Sequence, residues 1–332
     1  MADTIGGVIG IAVAPVCPMG RKGKISFITL LSTASFVITA FSYSETIALF
    51  GVLAAAFAAG FGEATIMAVS LEHEMGVICA YTSGLGAAAL ISSGAYLVTA
   101  YFVSTRTSLL LMTAVPFVMY FTFWFVIQNP VNSLEKKSIP NGSQTTVQVE
   151  KELANSNFEK VKMLLTVTPA TLVPLFLTSV LRCFINHGLL ELVHSRDVTF
   201  DSDVQYRWLN TVANMGMFFS QSSVSCLRIN KLWILPCIQT LLMALILLQI
   251  LMSSTHFYLI VLLSFLEGMV GGAAIVNTYY DIRMKTRVDL QPVQMEAAIL
   301  ANEMGAATAG FIAIPSHSAI CSMISTFRSR KR

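Results

Sequence analysis

Charge is what this sequence has least of. Only 12% of its 332 residues are Asp, Glu, Lys or Arg, 55% are hydrophobic, and the mean hydropathy is +0.69; that balance excludes an ordinary soluble domain. Common enzyme signatures are missing as well. No glycine-rich phosphate loop follows a strand, no HExxH sets two histidines on one helical face, and no Gly-x-Ser-x-Gly presents a nucleophile. Ser, His and Glu are scattered, so an intramembrane hydrolase is a weak alternative and the chain reads as no enzyme. Cys17, Cys79, Cys183, Cys226, Cys237 and Cys321 all lie in or beside apolar runs without paired spacing, which points to neither a disulfide framework nor a zinc site. No cofactor or metal is expected. No basic region precedes the first apolar stretch, so it does not read as a cleavable signal peptide. The net charge of +3 is spread over short loops, which excludes a nucleic-acid surface.

Apolar runs are what the chain has in quantity. Stretches of about 18 to 25 residues, enough to cross roughly 30 Å of hydrocarbon, recur along almost its whole length. Ten spans are expected, at 3–20, 25–43, 46–71, 76–101, 107–127, 165–193, 206–225, 231–253, 256–280 and 292–316. The polar, mixed-charge segment 128–164 reads as a linker. It separates five spans from five. The organisation is therefore an N-terminal helical bundle at 1–127, the linker at 128–164, a C-terminal bundle at 165–319 and a basic tail at 320–332, an all-α polytopic membrane protein of the two-bundle transporter type.

Basic residues sort by side. Arg21, Lys22 and Lys24, the five linker lysines, Arg228, Lys231, Arg283, Lys285 and Arg287 fall on one side, and little beyond Arg106 and Arg196 on the other. The positive-inside rule puts the linker in the cytosol and the N-terminus opposite. The glycosylation sequon at Asn141 is then expected to stay unmodified. The tail residues Arg328, Arg330, Lys331 and Arg332 fall on the lumenal side unless the last apolar segment is re-entrant.

An ionisable side chain at mid-bilayer costs about 2.5–3.5 kcal/mol on insertion scales, so it faces a cavity or a partner. Glu267 sits in the apolar stretch SFLEGMVGGAAIVNTYYD. Gly268 and Gly272 lie about 100° round the helix from it, and Gly271 shares its stripe. One surface can pack closely while the next presents a carboxylate, either to a pathway or to a polar group on a neighbouring helix. Glu63, among Gly60, Gly62 and Ala64, has the same two readings. In the sixth span Arg182 and Asn186 share one face, and His187 and Glu191 share another. The first pair is expected to face the pathway, and the second to pair structurally or approach the lumen. Asn277 would bond substrate or a neighbouring helix. Arg207 in Gln205-Tyr206-Arg207-Trp208 is a gate or anion contact, or part of an interfacial belt. Glu296 and Glu303 share a stripe of the last span, Glu303 the deeper.

Several strings resemble the battenin family. They are Phe184-Ile185-Asn186-His187-Gly188-Leu189-Leu190-Glu191-Leu192, Gln205-Tyr206-Arg207-Trp208, and Glu267-Gly268 through Gly271-Gly272-Ala273-Ala274 to Val276-Asn277-Thr278. Weaker agreement runs through Gly60-Phe61-Gly62-Glu63, Thr82-Ser83-Gly84-Leu85-Gly86 and Ile314-Pro315-Ser316-His317, so the resemblance covers nearly the whole chain. It implies a major-facilitator-like fold in a lysosomal or vacuolar membrane. It also implies roles in clearing glycerophosphodiesters, in lumenal pH balance and in basic amino-acid handling. The expected partners are the bilayer, a small polar or anionic solute, and protons. Rocking bundles would expose a cavity lined by Glu63, Arg182, Asn186, Glu267 and Asn277 alternately to each side.

The departures from the family pattern are specific. The family's first helix is missing, Arg182 stands where an acidic residue is expected, and Gln221 replaces an expected arginine. A truncated, transport-dead member acting through membrane partners is the alternative. Cys321-Ser322-Met323-Ile324 resembles a prenylation box, but eight residues follow it and no prenylation is expected. No acidic dileucine signal is clear, since Glu159 stands one residue too far from Leu164-Leu165. Lysosomal residence therefore rests on the resemblance.

Overall fold

The computed structural model describes residues 2–127, 169–193, 195, 198, 201–223, 228–251, 256–288 and 290–330. The expected linker at 128–164 with its sequon at Asn141, and Arg196, lie outside the described residues. Among the described residues every regular element is helical.

The N-terminal half holds α1 (Ala2–Val13), α2 (Arg21–Ala40), α3 (Glu45–Ser70), α4 (Met75–Phe102), α5 (Thr105–Met112) and α6 (Ala114–Thr122), the last running into a π turn at Phe123–Ile127. The C-terminal half holds α7 (Pro169–Phe184), a π turn at Ile185–Leu189, a 3₁₀ turn at Leu190–Leu192, α8 (Ser202–Ser222), α9 (Ile234–Leu251), α10 (Phe257–Lys285) and α11 (Gln291–Arg330). Among the described residues eight helical segments are long and apolar enough to cross a membrane. The other two expected spans are the 12-residue α1 and the more polar α8. Helix α1 stops at Val13 because Pro15 and Pro18 offer no amide hydrogen to continue the ladder. At the other end, α11 runs 40 residues through Pro315 and past the expected end of the last span at 316.

Large side chains such as Leu30, Phe50, Ile91, Leu241 and Leu262 lie exposed on helix faces that meet no other helix, as lipid-facing residues do. Packing runs inward from there. In the first half α3 lies between α1 and α2; in the second, α10 contacts α7, α8 and α9, and α11 packs on α7. The halves meet where α4 crosses α8 and where α1 crosses α11. Ser83 and Ser222 share a hydroxyl hydrogen bond of 2.7 Å across the first of these seams.

A polar clasp joins the halves at the end of the bundle where α10 finishes. Arg283, in the last turn of α10, donates from Nη1 to the Leu71 carbonyl at 3.1 Å and to Gln291 Oε1 at 2.5 Å, and from Nη2 to the His73 carbonyl at 2.9 Å. Gln291 Nε2 returns bonds of 3.0 Å to the carbonyls of Arg283 and Thr286. Nearby, Arg21 pairs with Glu72, but both side chains are about half exposed and the pair adds little. Arg283→Ala removes three charge-assisted bonds and is expected to cost about 1.5–3 kcal/mol. Its melting temperature in detergent should fall, and an unchanged value would show that the clasp carries no stability.

Candidate functional site

The site begins with a change of pitch in the sixth span. Helix α7 gives way to the π turn at Ile185–Leu189, whose extra residue per turn rotates the side chains that follow. Asn186 is turned inward, to 7% exposure, and His187 outward. The Asn186 amide donates from Nδ2 to the Arg182 carbonyl and to Glu267 Oε1, both at 3.2 Å. From α9, Gln239 Nε2 donates to the same Oε1 at 3.2 Å. Glu267 and Gln239 are fully buried.

Helix α10 brings Glu267 there by packing tightly beside it. A Cβ on Gly268 would strike the Ala213 carbonyl of α8, and one on Gly272 would lie 2.7 Å from the Met217 carbonyl. Gly271, one turn beyond Glu267, leaves room for Arg182, whose Cδ occupies the space a side chain would fill. Arg182 thus lies across α10 next to the carboxylate. Among the described residues it forms no ion pair within 4.0 Å, yet Glu267 and Glu303 both act on it electrostatically. Its guanidinium, whose five N–H groups form a rigid fork, remains available to an anion.

The surrounding oxygens share one deficit. Among the described residues Glu267 Oε2, Asn186 Oδ1, Gln239 Oε1 and Ser264 Oγ are all buried without a hydrogen-bond partner. The carboxylate and amide oxygens need a donor, the Ser264 hydroxyl can give or accept, and a buried acceptor left unmet costs about 1–3 kcal/mol. A proton on Glu267 Oε2 converts an acceptor into a donor and can meet one of the amide oxygens at the same time.

A second polar group lies between the halves. Tyr279 of α10, Tyr81 of α4 and Glu303 of α11 lie within electrostatic reach of Glu63 of α3. Glu303 Oε2 is 3.3 Å from where a Cβ on Gly7 of α1 would stand, and its Oε1 accepts from Asn302 Nδ2 at 3.5 Å. Asn302 in turn accepts from the Ser179 hydroxyl of α7. Arg182 lies within electrostatic reach of both Glu303 and Glu267, which sets it between the two groups, whose carboxylates come from α3, α11 and α10.

The remaining residues singled out in the sequence lie elsewhere. Asn277 is ten residues along α10 from Glu267; its Nδ2 donates to the Ala273 carbonyl and its Oδ1 accepts from the Ile229 N–H, both at 2.9 Å, which anchors the segment before α9. Arg207 lies over the Tyr96 ring of α4, 5.3 Å from its centroid, and joins the halves near the start of α8. His187 Nδ1 is 3.4 Å from the Tyr206 hydroxyl, and Glu191 is exposed on the 3₁₀ turn. Glu296 lines a cavity of ≈ 190 Å³ with Arg21, Lys24 and Glu72. Gln239, Tyr81 and Tyr279 were not picked out in the sequence, and Arg283 only as a topological charge. Gln239 carried a weak signal, one of two amides, with Gln249, within an otherwise largely apolar span.

Comparison with known proteins places this geometry in a lineage. The family model described as CLN3 protein matches residues 1–323. Battenin of Canis lupus familiaris is 31% identical over 304 residues, which cover 88% of this chain and 69% of that protein. Protein BTN1 of Yarrowia lipolytica is 25% identical over 313 residues, 90% of this chain and 79% of that one. Among solved structures, a D-xylose–proton symporter superposes with a TM-score of 0.54 at 12% identity, covering 91% of this chain and 76% of the other. That likeness concerns the fold alone.

Proposed function

The chain belongs to the CLN3 protein family, whose members are multi-pass proteins of lysosomal and vacuolar membranes, and from that premise we propose that it moves a small anionic solute of the glycerophosphodiester class across such a membrane together with a proton. The observation that carries this reading is Arg182. It is a partly buried cation within the bundle, with two carboxylates in reach and, among the described residues, no direct ion pair. A phosphodiester presents two oxygens that match a guanidinium fork.

The coupling follows from competition. The phosphodiester and the Glu267 carboxylate are rival partners for one guanidinium, so a proton on Glu267 frees Arg182 for the anion and supplies the donor that the buried oxygens lack. One proton and one singly charged phosphodiester move without net charge, and export of that pair from an acidic compartment draws on the proton gradient and links the carrier to lumenal pH. The two bundles, 1–127 and 165–319, would rock about the seams where α4 meets α8 and α1 meets α11. The Arg283 clasp is then the cytosolic gate that opens on release.

Glu267→Gln tests the coupling. The amide preserves shape and can donate to a buried oxygen, so folding is expected to survive. In proteoliposomes the variant should still allow downhill flux, but a pH gradient should no longer accelerate it. A variant that keeps its full response to the gradient would place the coupling group elsewhere.

A further inference from the structure

At the end of the bundle where α9 and α11 begin and α10 finishes, which the distribution of basic residues assigns to the cytosol, lies a cavity of ≈ 490 Å³ whose polar wall includes Asn230, Lys231, Trp233, Asp281, Lys285 and Thr286. It shares Lys231 and Trp233 with a groove of ≈ 460 Å³ along the outer face of α9, lined by Ile234, Ile238 and Leu241. Those three side chains are 47%, 39% and 59% exposed, and they lie on the face turned towards lipid. We propose that the cavity and groove form a single site for an anionic phospholipid of the surrounding leaflet. The headgroup phosphate lies against Lys231, one acyl chain runs down the α9 groove, and the Trp233 ring marks the boundary between them.

Charge selects this occupant. The other cations at this end are committed: Lys285 Nζ is bonded to Asp281 Oδ2 at 2.7 Å, Arg228 lies over the Tyr280 ring at 4.6 Å, and Arg283 holds the carbonyls of Leu71 and His73. Among the described residues Lys231 has no acidic partner. The cavity is also lined by Ala170 and Thr171 of α7, by Leu232 and Trp233 just before α9, and by Gln294 of the first turn of α11. The N-termini of α9 and α11 therefore turn their positive dipole ends to it against one C-terminus. Asp281 is the adverse charge on the wall, and it is held by Lys285. A basic pocket between membrane helices on the cytosolic side is where acidic headgroups are held, and an indole at the headgroup level is the usual interfacial anchor. The groove supplies what a soluble phosphate could not use.

The test uses the full chain in detergent, titrated with phosphatidylserine, phosphatidylcholine or the chain-free glycerophosphoserine, with retained adducts counted by native mass spectrometry. Phosphatidylserine should be retained at about fivefold lower concentration than phosphatidylcholine, the contribution of one basic residue near an acidic headgroup. Lys231→Ala should erase that preference and Lys231→Arg keep it, while Ile238→Trp, which fills the groove, should weaken both lipids. Equal retention of the two lipids would overturn the proposal, as would indifference to Lys231→Ala. Glycerophosphoserine binding as tightly as the lipid and lost with Lys231→Ala would also overturn it, because the groove would then contribute nothing. The substrate reading stands or falls separately, since neither Arg182 nor Glu267 is altered.

Discussion

Arg182→Ala is expected to abolish phosphodiester flux while leaving folded protein in the membrane, and Arg182→Lys to restore only a small part of it. The alanine variant loses a cation that lies within electrostatic reach of both Glu267 and Glu303. Two charge-assisted bonds to a phosphodiester are worth about 3 kcal/mol or more together, which is a factor of at least ~10² in binding. Lysine keeps the charge but presents a single ammonium where the guanidinium offers a planar fork. Initial rates of uptake, with size-exclusion profiles as the check on folding, decide the matter. Alanine flux within a few-fold of the parent chain would remove Arg182 from the pathway.

The second large effect concerns the packing that places Glu267. Gly268→Ala should cause loss of folded protein, whereas Gly84→Ala should be tolerated. Alanine is the better helix former by about 1 kcal/mol, and nothing lies within 4 Å of where a Cβ on Gly84 would stand. At Gly268 the same methyl meets the Ala213 carbonyl, and the reciprocal Gly216 of α8 meets the Phe265 carbonyl of α10. These obstacles are backbone atoms, so the helices must separate; overpacking of this kind costs about 1–3 kcal/mol and occasionally more. Yield of monodisperse protein compares the two variants directly. Equal yields would mean that α8 and α10 can part without penalty.

Much of the architecture was legible because the bilayer imposes it. Long apolar runs gave the eight spanning segments, and the prolines near α1 signalled its weakness. The GxxxG surface at Gly268 and Gly272 does face a partner helix, α8, with Glu267 on the adjoining surface, because a fixed helical period converts spacing into direction. Asn186 and Arg182 could be read as neighbours for the same reason. Partnership across helices was not legible. Gln239 is one of two amides, with Gln249, in a leucine-rich span, and only the fold reveals that it meets Glu267. Tyr81 and Tyr279 have the composition of an interfacial belt, yet Tyr279 is 1% exposed and lies within electrostatic reach of Glu63. Arg283 counted towards topology as a loop charge, while its bonds to Leu71 and His73 depend on how the two halves close. The π turn at Ile185–Leu189 changes the helical pitch locally, and a residue pattern read at 3.6 per turn does not contain that change.

The measurement that tests the central claim most directly is uptake of a labelled glycerophosphodiester by proteoliposomes carrying the intact chain, with the proton gradient imposed first in one direction and then in the other. The account predicts flux above that of empty vesicles, accelerated when protons and solute move the same way and slowed when the gradient is reversed. Flux no greater than that of empty vesicles from demonstrably folded protein, under either gradient, would contradict it.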